Sequence, residues 1–302
     1  MTAAEQTAGT SRGRLREAVD YLLWAYTPFR RMTARDIYEL VSTNAFTARG
    51  LYLNLGYWKT ALTIDQACEA LAALVAETAA MGPGDDVVDV GFGFADQDIL
   101  WMQRFAPSRI TGLNVTPSQV RIARERVRRL GLADRVHLIE GSATEMPLPD
   151  ASCDIVTAVE CAFHFHTRER FLAEAFRVLR PGGRLVLADV IRNAPEADRV
   201  RRMVQDFNWR AFAQKFAVPG ANADQRDVYE GKVHAAGFAD VHVVSIREDV
   251  FPGWHRAMGH DPDLLRRFHL AGRVPYRFLL RFDANTVYSA FDYVLAEARK
   301  PV

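Results

Sequence analysis

The chain has 302 residues, with 38 basic against 37 acidic side chains and a net charge of +1. That length can bury a substantial core, and the balanced charge recommends neither nucleic acid nor an acidic partner. No apolar run approaches the length needed to cross a bilayer, and three cysteines without metal-type spacing, Cys68, Cys153 and Cys161, read as reduced thiols of a cytoplasmic protein.

Met1 to Gly13 is rich in Ala, Thr, Ser and Gly and lacks an apolar stretch, the composition of a frayed tail and not of a signal peptide or anchor. From Leu15 to about Val41 apolar residues recur at helical spacing (Leu15, Val19, Leu22, Leu23, Tyr26), break at Pro28 and resume through Ile37, Tyr38 and Leu40. This predicts cap helices lying over a core. Asn54 to Trp58 is a turn-like segment with two large aromatics, and a helix over Ile64 to Met81 stops at Gly82-Pro83-Gly84.

Val87, Val88 and Val90 are β-branched without polar alternation, as suits a parallel strand covered on both faces. Gly91 and Gly93 then permit a tight turn and close approach of a ligand, and a helix follows from Asp96. A dinucleotide fingerprint would place a third glycine where Asp96 stands. An acid there repels a diphosphate, whereas S-adenosylmethionine (SAM) carries a sulfonium and an ammonium and no phosphate. The turn therefore favours SAM.

Arg109 to Val115 is the second strand, with Asn114 near the point where nucleoside-binding sheets usually meet the ribose. The helix opened by Thr116-Pro117-Ser118 carries six charged positions between Arg121 and Arg129, but these alternate with Val120, Ile122, Ala123 and Val127 as on a solvated amphipathic face. Val136 to Glu140 and Asp154 to Val159 are the third and fourth strands, ending in Gly141-Ser142-Ala143 and in Glu160 to His166. A helix from Arg168 to Leu179 turns through Pro181-Gly182-Gly183 into a fifth strand that ends at Asp189. Beyond Asn193 the alternation lapses into an aromatic-rich helical stretch around Trp209, and a helix over Asp227 to Ala236 with strands Asp240 to Ile246 and Ser289 to Ala298 completes the sheet. The expected fold is α/β: a doubly wound, mostly parallel seven-stranded sheet with a helical cap or lid. Its expected divisions are a tail at 1–14, a helical cap at 15–80, a SAM-binding core at 81–192, a helical lid at 193–226, and a sheet-completing part at 227–302 with a further lid segment near 251–285.

The ordered set Asp89-x-Gly-x-Gly, Asn114, Gly141-Ser-Ala, Asp154-Ile-Val and Leu179-Arg-Pro-Gly-Gly resembles class I SAM-dependent methyltransferases. Within them Tyr52-Leu-Asn-Leu-Gly-Tyr-Trp-Lys59, Asp98 and Gly141-Ser-Ala-Thr144 resemble bacterial natural-product O-methyltransferases of the erythromycin type. The usual third glycine of the loop is Ala95, the usual ribose acid is Asn114, and the usual adenine-side acid is Ser142. The resemblance implies that Gly91 and Gly93 lie against the methionine moiety, Asn114 near the ribose, Ser142 near the adenine and Tyr57 over the methyl-donor end. It further assigns Asp89, Gln97, Val115, Gln119, Ala143 and Glu160 to the cofactor site.

Methyl transfer from a sulfonium is an in-line displacement, and an alcohol acceptor must also lose a proton, so a general base is needed within hydrogen-bond reach. His164 follows the fourth strand and Asp189 ends the fifth, which makes them candidate base and orienting carboxylate; related sugar O-methyltransferases carry the same pair, and His166 is the rival. Glu160 has three readings: a bond to a backbone group of the cap, balance of the sulfonium, or a buried tie to an arginine. No His, Asp or Glu cluster has metal spacing, so no metal is expected. The acceptor is expected to be a bulky, partly apolar small molecule, bound under a cap that includes the regions of Trp209 and Trp254, although packing explains most of those aromatics more simply. Neither nucleic acid nor stable membrane insertion is expected, and homo-oligomerisation stays open. C- or N-methylation of a lipid, isoprenoid or amine is the alternative chemistry.

Overall fold

The computed structural model describes residues 33–41, 47–267 and 270–302. The tail and the helical pattern from Leu15 to Tyr26 lie outside them. After a short helix α1 (Ala34–Val41) and helix α2 (Ile64–Thr78), the chain alternates: β1 (Asp86–Val90), α3 (Asp96–Arg104), β2 (Arg109–Asn114), α4 (Pro117–Arg129), β3 (Val136–Glu140), β4 (Cys153–Val159), α5 (Arg168–Val178) and β5 (Leu179–Arg192). Helix α6 (Arg199–Lys215) and a single 3₁₀ turn (Gly220–Asn222) interrupt it. Then come α7 (Arg226–Ala235), β6 (Ala239–Ser245), α8 (Arg247–His260), α9 (Pro262–Arg267), α10 (Leu270–Leu279), α11 (Ala284–Val287) and β7 (Phe291–Arg299).

The seven strands run in the order β3-β2-β1-β4-β5-β7-β6. The first five are parallel, and β7 enters antiparallel between β5 and β6. The order reverses between β1 and β4, the place where an open parallel sheet leaves a crevice beyond its carboxyl ends.

Alternate residues of each strand face opposite sides, and two apolar clusters follow from that. Val87, Ile110, Leu138, Ile155, Val186 and Tyr293 pack with α2, α3, α4 and α8 on one face, while Val88, Leu113, Val156, Leu187 and Val294 pack with α5 and α7 on the other. Two divisions expected from sequence shift accordingly. Helix α2, closed at its start by a Thr63–Gln66 capping box, buries Leu71, Ala72, Val75 and Ala76 in the first cluster, so it belongs to the core layer and not to the cap. Helix α8 does the same with Val250, Phe251, Trp254 and Met258; the segment from 251 begins as core, because its apolar residues share one helical face. The cysteines are buried and unpaired, and each thiol donates to a backbone carbonyl: Cys68 to Asn54, Cys153 to Val178 and Cys161 to Val90. None of the helices among the described residues is long and apolar enough to cross a membrane.

Candidate active site

A cavity of about 310 Å³ opens at the carboxyl ends of β1, β2, β3 and β4 and is roofed by α1 and the 51–54 segment. That volume falls within the roughly 300–1,000 Å³ usual for small-molecule sites. A wider groove of about 730 Å³ lies between Trp58 to Asp65 and helices α8 and α9, but no strand end reaches it.

The floor of the cavity follows from backbone geometry. Gly91 has φ +74, and a Cβ there would lie 2.6 Å from the Cys161 sulfur, so only glycine lets β1 leave the sheet this close to β4. The Gly91 N–H donates to the Leu113 carbonyl at 2.7 Å, tying the turn to β2. Ala95, where the resemblance would have a glycine, adopts φ +66 at the start of α3; an alanine bears the strain a glycine would avoid.

Asp96 lines the cavity, but its charge is spent. Arg126 clamps it with two guanidinium nitrogens at 2.5 and 2.7 Å, and the Leu51 N–H donates to it at 3.1 Å. The electrostatic ground on which an acid at this position excluded a diphosphate therefore does not hold; a pattern read locally could not see an arginine on the next helix. Asp89 lies beneath the floor, fully buried, accepting from Gln97 at 3.0 Å and Thr157 at 2.8 Å, and burial pushes its carboxyl up to about 7. Among the described residues neither oxygen of the equally buried Asp98 makes a hydrogen bond of normal geometry, and burial together with Asp89 pushes that group well up, as expected when two neighbouring carboxyls cannot both ionise.

Gln97, Asn114, Val115, Gln119, Ser142, Ala143 and Glu160 all line the cavity with Gly91 and Gly93. Asn114 is held by donation to Gln119 at 2.8 Å and by accepting the Thr116 N–H at 3.2 Å. Glu160 bonds a backbone group of the roof and no arginine: its Oε1 accepts from the Leu55 N–H and from the Tyr293 hydroxyl, both at 2.7 Å. Oε2 makes no hydrogen bond among the described residues, and burial pushes the group up to about 7. Tyr57 departs from expectation. Its N–H is bonded to the Ala67 carbonyl and its hydroxyl reaches Asp249 at 3.3 Å, which directs it to α8; Tyr52, Leu53 and Asn54 line the cavity in its place. Trp209 packs on Phe212 and Phe291, and the Trp254 indole donates to Tyr276; neither lines the cavity.

His164 sits on a one-turn 3₁₀ segment (Ala162–His164) and lines the cavity, while His166 is exposed at its edge. The expected contact between His164 and Asp189 is absent. Asp189 instead accepts from the Arg168 Nε at 3.0 Å, the Phe163 N–H at 3.1 Å and the Val190 N–H at 3.0 Å. A buried carboxylate beside a buried guanidinium takes that partner first. Burial raises the Asp189 carboxyl, and Arg168 pulls it back. What meets His164 is Tyr38 of α1, whose hydroxyl lies 2.9 Å from Nε2. Among the described residues the Nδ1 atom makes no hydrogen bond of normal geometry, and the Phe216 carbonyl favours a proton on the ring. Burial lowers the His164 pKa to about 3, so the imidazole is neutral at physiological pH. Tyr38 gave no chemical signal in the sequence beyond its place in an apolar pattern. Among the described residues no group of three His, Cys, Asp or Glu side chains is placed to hold a metal ion.

Comparison with known proteins gives the family. A methyltransferase-domain family model matches residues 88–187. Erythromycin 3''-O-methyltransferase of Saccharopolyspora erythraea is 38% identical over 96% of this chain and 98% of its own length. The 27-O-demethylrifamycin SV methyltransferase of Amycolatopsis mediterranei is 30% identical over 83% of this chain and 91% of its own. Among solved structures, the [4+2]-cyclase SpnF superposes with TM-score 0.64 at 23% identity, covering 96% of each chain, a likeness of fold alone. The chain belongs to the class I SAM-dependent methyltransferases. Within that class its place is among the natural-product O-methyltransferases, and its cofactor is SAM.

The cavity suits that cofactor: Gly91 and Gly93 leave backbone bare on the floor, amide and hydroxyl groups stand at the ends of β2 and β3, and the Glu160 carboxyl group lines the wall.

The reassignment of Asp189 is testable. Asp189→Asn should lower the unfolding free energy by about 3 kcal/mol, the scale of breaking a buried ion pair, as measured by denaturant melts, while turnover falls less than about tenfold. Unchanged stability with a hundredfold loss of turnover would restore Asp189 as the partner of the base.

Proposed function

We propose that this protein transfers the methyl group of SAM to a hydroxyl of a bulky, glycosylated secondary metabolite, with His164 as general base. The carrying observation is that Nε2 of a neutral, buried imidazole faces a hydroxyl at 2.9 Å in the cavity wall. The names of the relatives that span most of this chain support oxygen as the methylated atom.

SAM, when bound, supplies an electrophilic methyl on a sulfonium. With the ring proton on Nδ1, Nε2 of His164 accepts the hydroxyl proton that the acceptor loses. Tyr38 then stands where the acceptor hydroxyl must donate, either yielding its place or passing the proton on. Gly91 and Gly93 hold the methionine end, Asn114 and Gln119 the ribose, and Ser142 and Ala143 the adenine side. Glu160, through Oε2, balances the cationic end, and its Oε1 ties the roof down at Leu55. The apolar residues that share the wall, Leu51, Leu53 and Phe165, exclude water from the reacting groups.

Two outcomes are expected. His164→Ala should reduce turnover about 10²- to 10⁴-fold, the usual worth of a positioned base, with the SAM dissociation constant held within about threefold. The assay is the mass shift of erythromycin-type and rifamycin-type acceptors with free hydroxyls, and NMR should place the new methyl on oxygen; full turnover in the variant, or a methyl on carbon or nitrogen, would sink this reading. Because Glu160 is pushed up to about 7 without a cation beside it, SAM affinity should rise with pH through 7 in the wild type, by up to about tenfold per unit. Glu160→Gln should remove that part of the slope in calorimetric titrations between pH 6 and 8. Identical slopes in the two proteins would contradict the role given to Oε2.

A further inference from the structure

The residues on either side of His164 are held by a side chain from a distant part of the chain. Asn222 ends the 3₁₀ turn between α6 and α7 and is fully buried. Its Nδ2 donates to the carbonyls of Phe163 at 3.1 Å and Phe165 at 2.8 Å, the two residues that flank His164. Its Oδ1 accepts the Arg168 N–H at 3.1 Å, its own carbonyl accepts from the Arg168 guanidinium at 2.6 Å, and its N–H donates to Pro219 at 2.9 Å. The amide orientation is forced, because only an NH₂ group serves two carbonyls while only an oxygen accepts an N–H. On the opposite side the Phe163 N–H is taken by Asp189.

We infer that Asn222 is a positioning residue for methyl transfer: it fixes the Phe163–His164–Phe165 backbone so that the imidazole meets the acceptor hydroxyl in line. This rests on the reading of His164 as the base. Nothing else in the cavity constrains that turn from the lid side by side-chain donation among the described residues, and a base displaced by an ångström can lose about a hundredfold in rate. The lid is thereby more than a cover, since the segment that follows α6 sets the geometry of the proton acceptor.

Asn222→Asp is the sharpest variant. It keeps shape and the Oδ1 acceptor but sets a carboxylate oxygen against two carbonyls; Asn222→Ala removes all three side-chain bonds. Both should lower kcat at least about tenfold while the SAM dissociation constant stays within about threefold. In a His164→Ala background neither should lower kcat further, because the group they position is gone. If His164→Ala leaves turnover intact, the base assignment itself fails. If His164→Ala is deficient and the Asn222 variants lower kcat by the same factor in both backgrounds, Asn222 is merely structural and the inference fails. An acceptor-independent readout is the His164 imidazole resonance followed against pH. It should begin to titrate nearer the ordinary histidine value of about 6.5 once the turn loosens in Asn222→Ala, and an unchanged titration in a folded variant would also overturn the inference.

Discussion

The interaction on which this site depends is the buried clamp around Arg168. A guanidinium without solvent is tolerable only when it is paired and well hydrogen-bonded, and Arg168 commits four of its five N–H donors, to Asp189 on β5, Asp224 after the 3₁₀ turn, and the carbonyls of Asn222 and Val190. Those partners belong to two separate stretches of chain, 189–190 and 222–224, so satisfying one charge fastens the segment after α6 to the end of the sheet. Asp189 and Asn222 each spend a remaining hydrogen bond on Phe163, and Asn222 another on Phe165. His164 is thus held through its neighbours' backbone, while its own ring packs on Phe163 and meets Tyr38 at Nε2.

The cofactor half of the cavity is built differently. There the constraints are backbone ones: the approach of β1 to β4 that admits no Cβ at Gly91, the left-handed step at Ala95, and loops leaving parallel strands on the same side of the sheet. Charge at this edge is compensated or buried, with Asp96 given to Arg126 and Asp89 held under the floor by Gln97 and Thr157. Glu160 is the exception. It joins Leu55, next to the roof, to the antiparallel strand β7 at Tyr293 and itself lines the cavity, so one side chain ties the roof, the sheet and the cavity wall together.

Much of this was legible in the sequence where the signal is local. The valine runs, the glycine pair after Val90, the Pro181-Gly-Gly turn and the placement of Asn114, Ser142 and Glu160 at strand ends follow from short-range rules, and the sheet and cavity contain them where those rules put them. At the site, the departures from expectation are pairings between distant residues. Nothing near Asp189 announces that Arg168 will claim it, nothing near Asp96 announces Arg126, and an aromatic in a turn, Tyr57, can rotate toward Asp249 on α8 as readily as toward a ligand. Tyr38 and Asn222 were missed for the same reason: each is an ordinary residue of its local pattern until the fold brings it to His164 or to its neighbours.

The most direct test of the account is a crystal structure with S-adenosylhomocysteine bound. The methionine end should lie on Gly91 and Gly93, the adenosine should run past Asn114 toward Ser142 and Ala143, and the sulfur should point at the His164 wall within about 8 Å of Nε2, leaving room for one methyl and one acceptor oxygen between them. A thioether directed toward Tyr57 and α8, or a sulfur separated from His164 by the cavity's full length, would contradict the placement of both halves of the site.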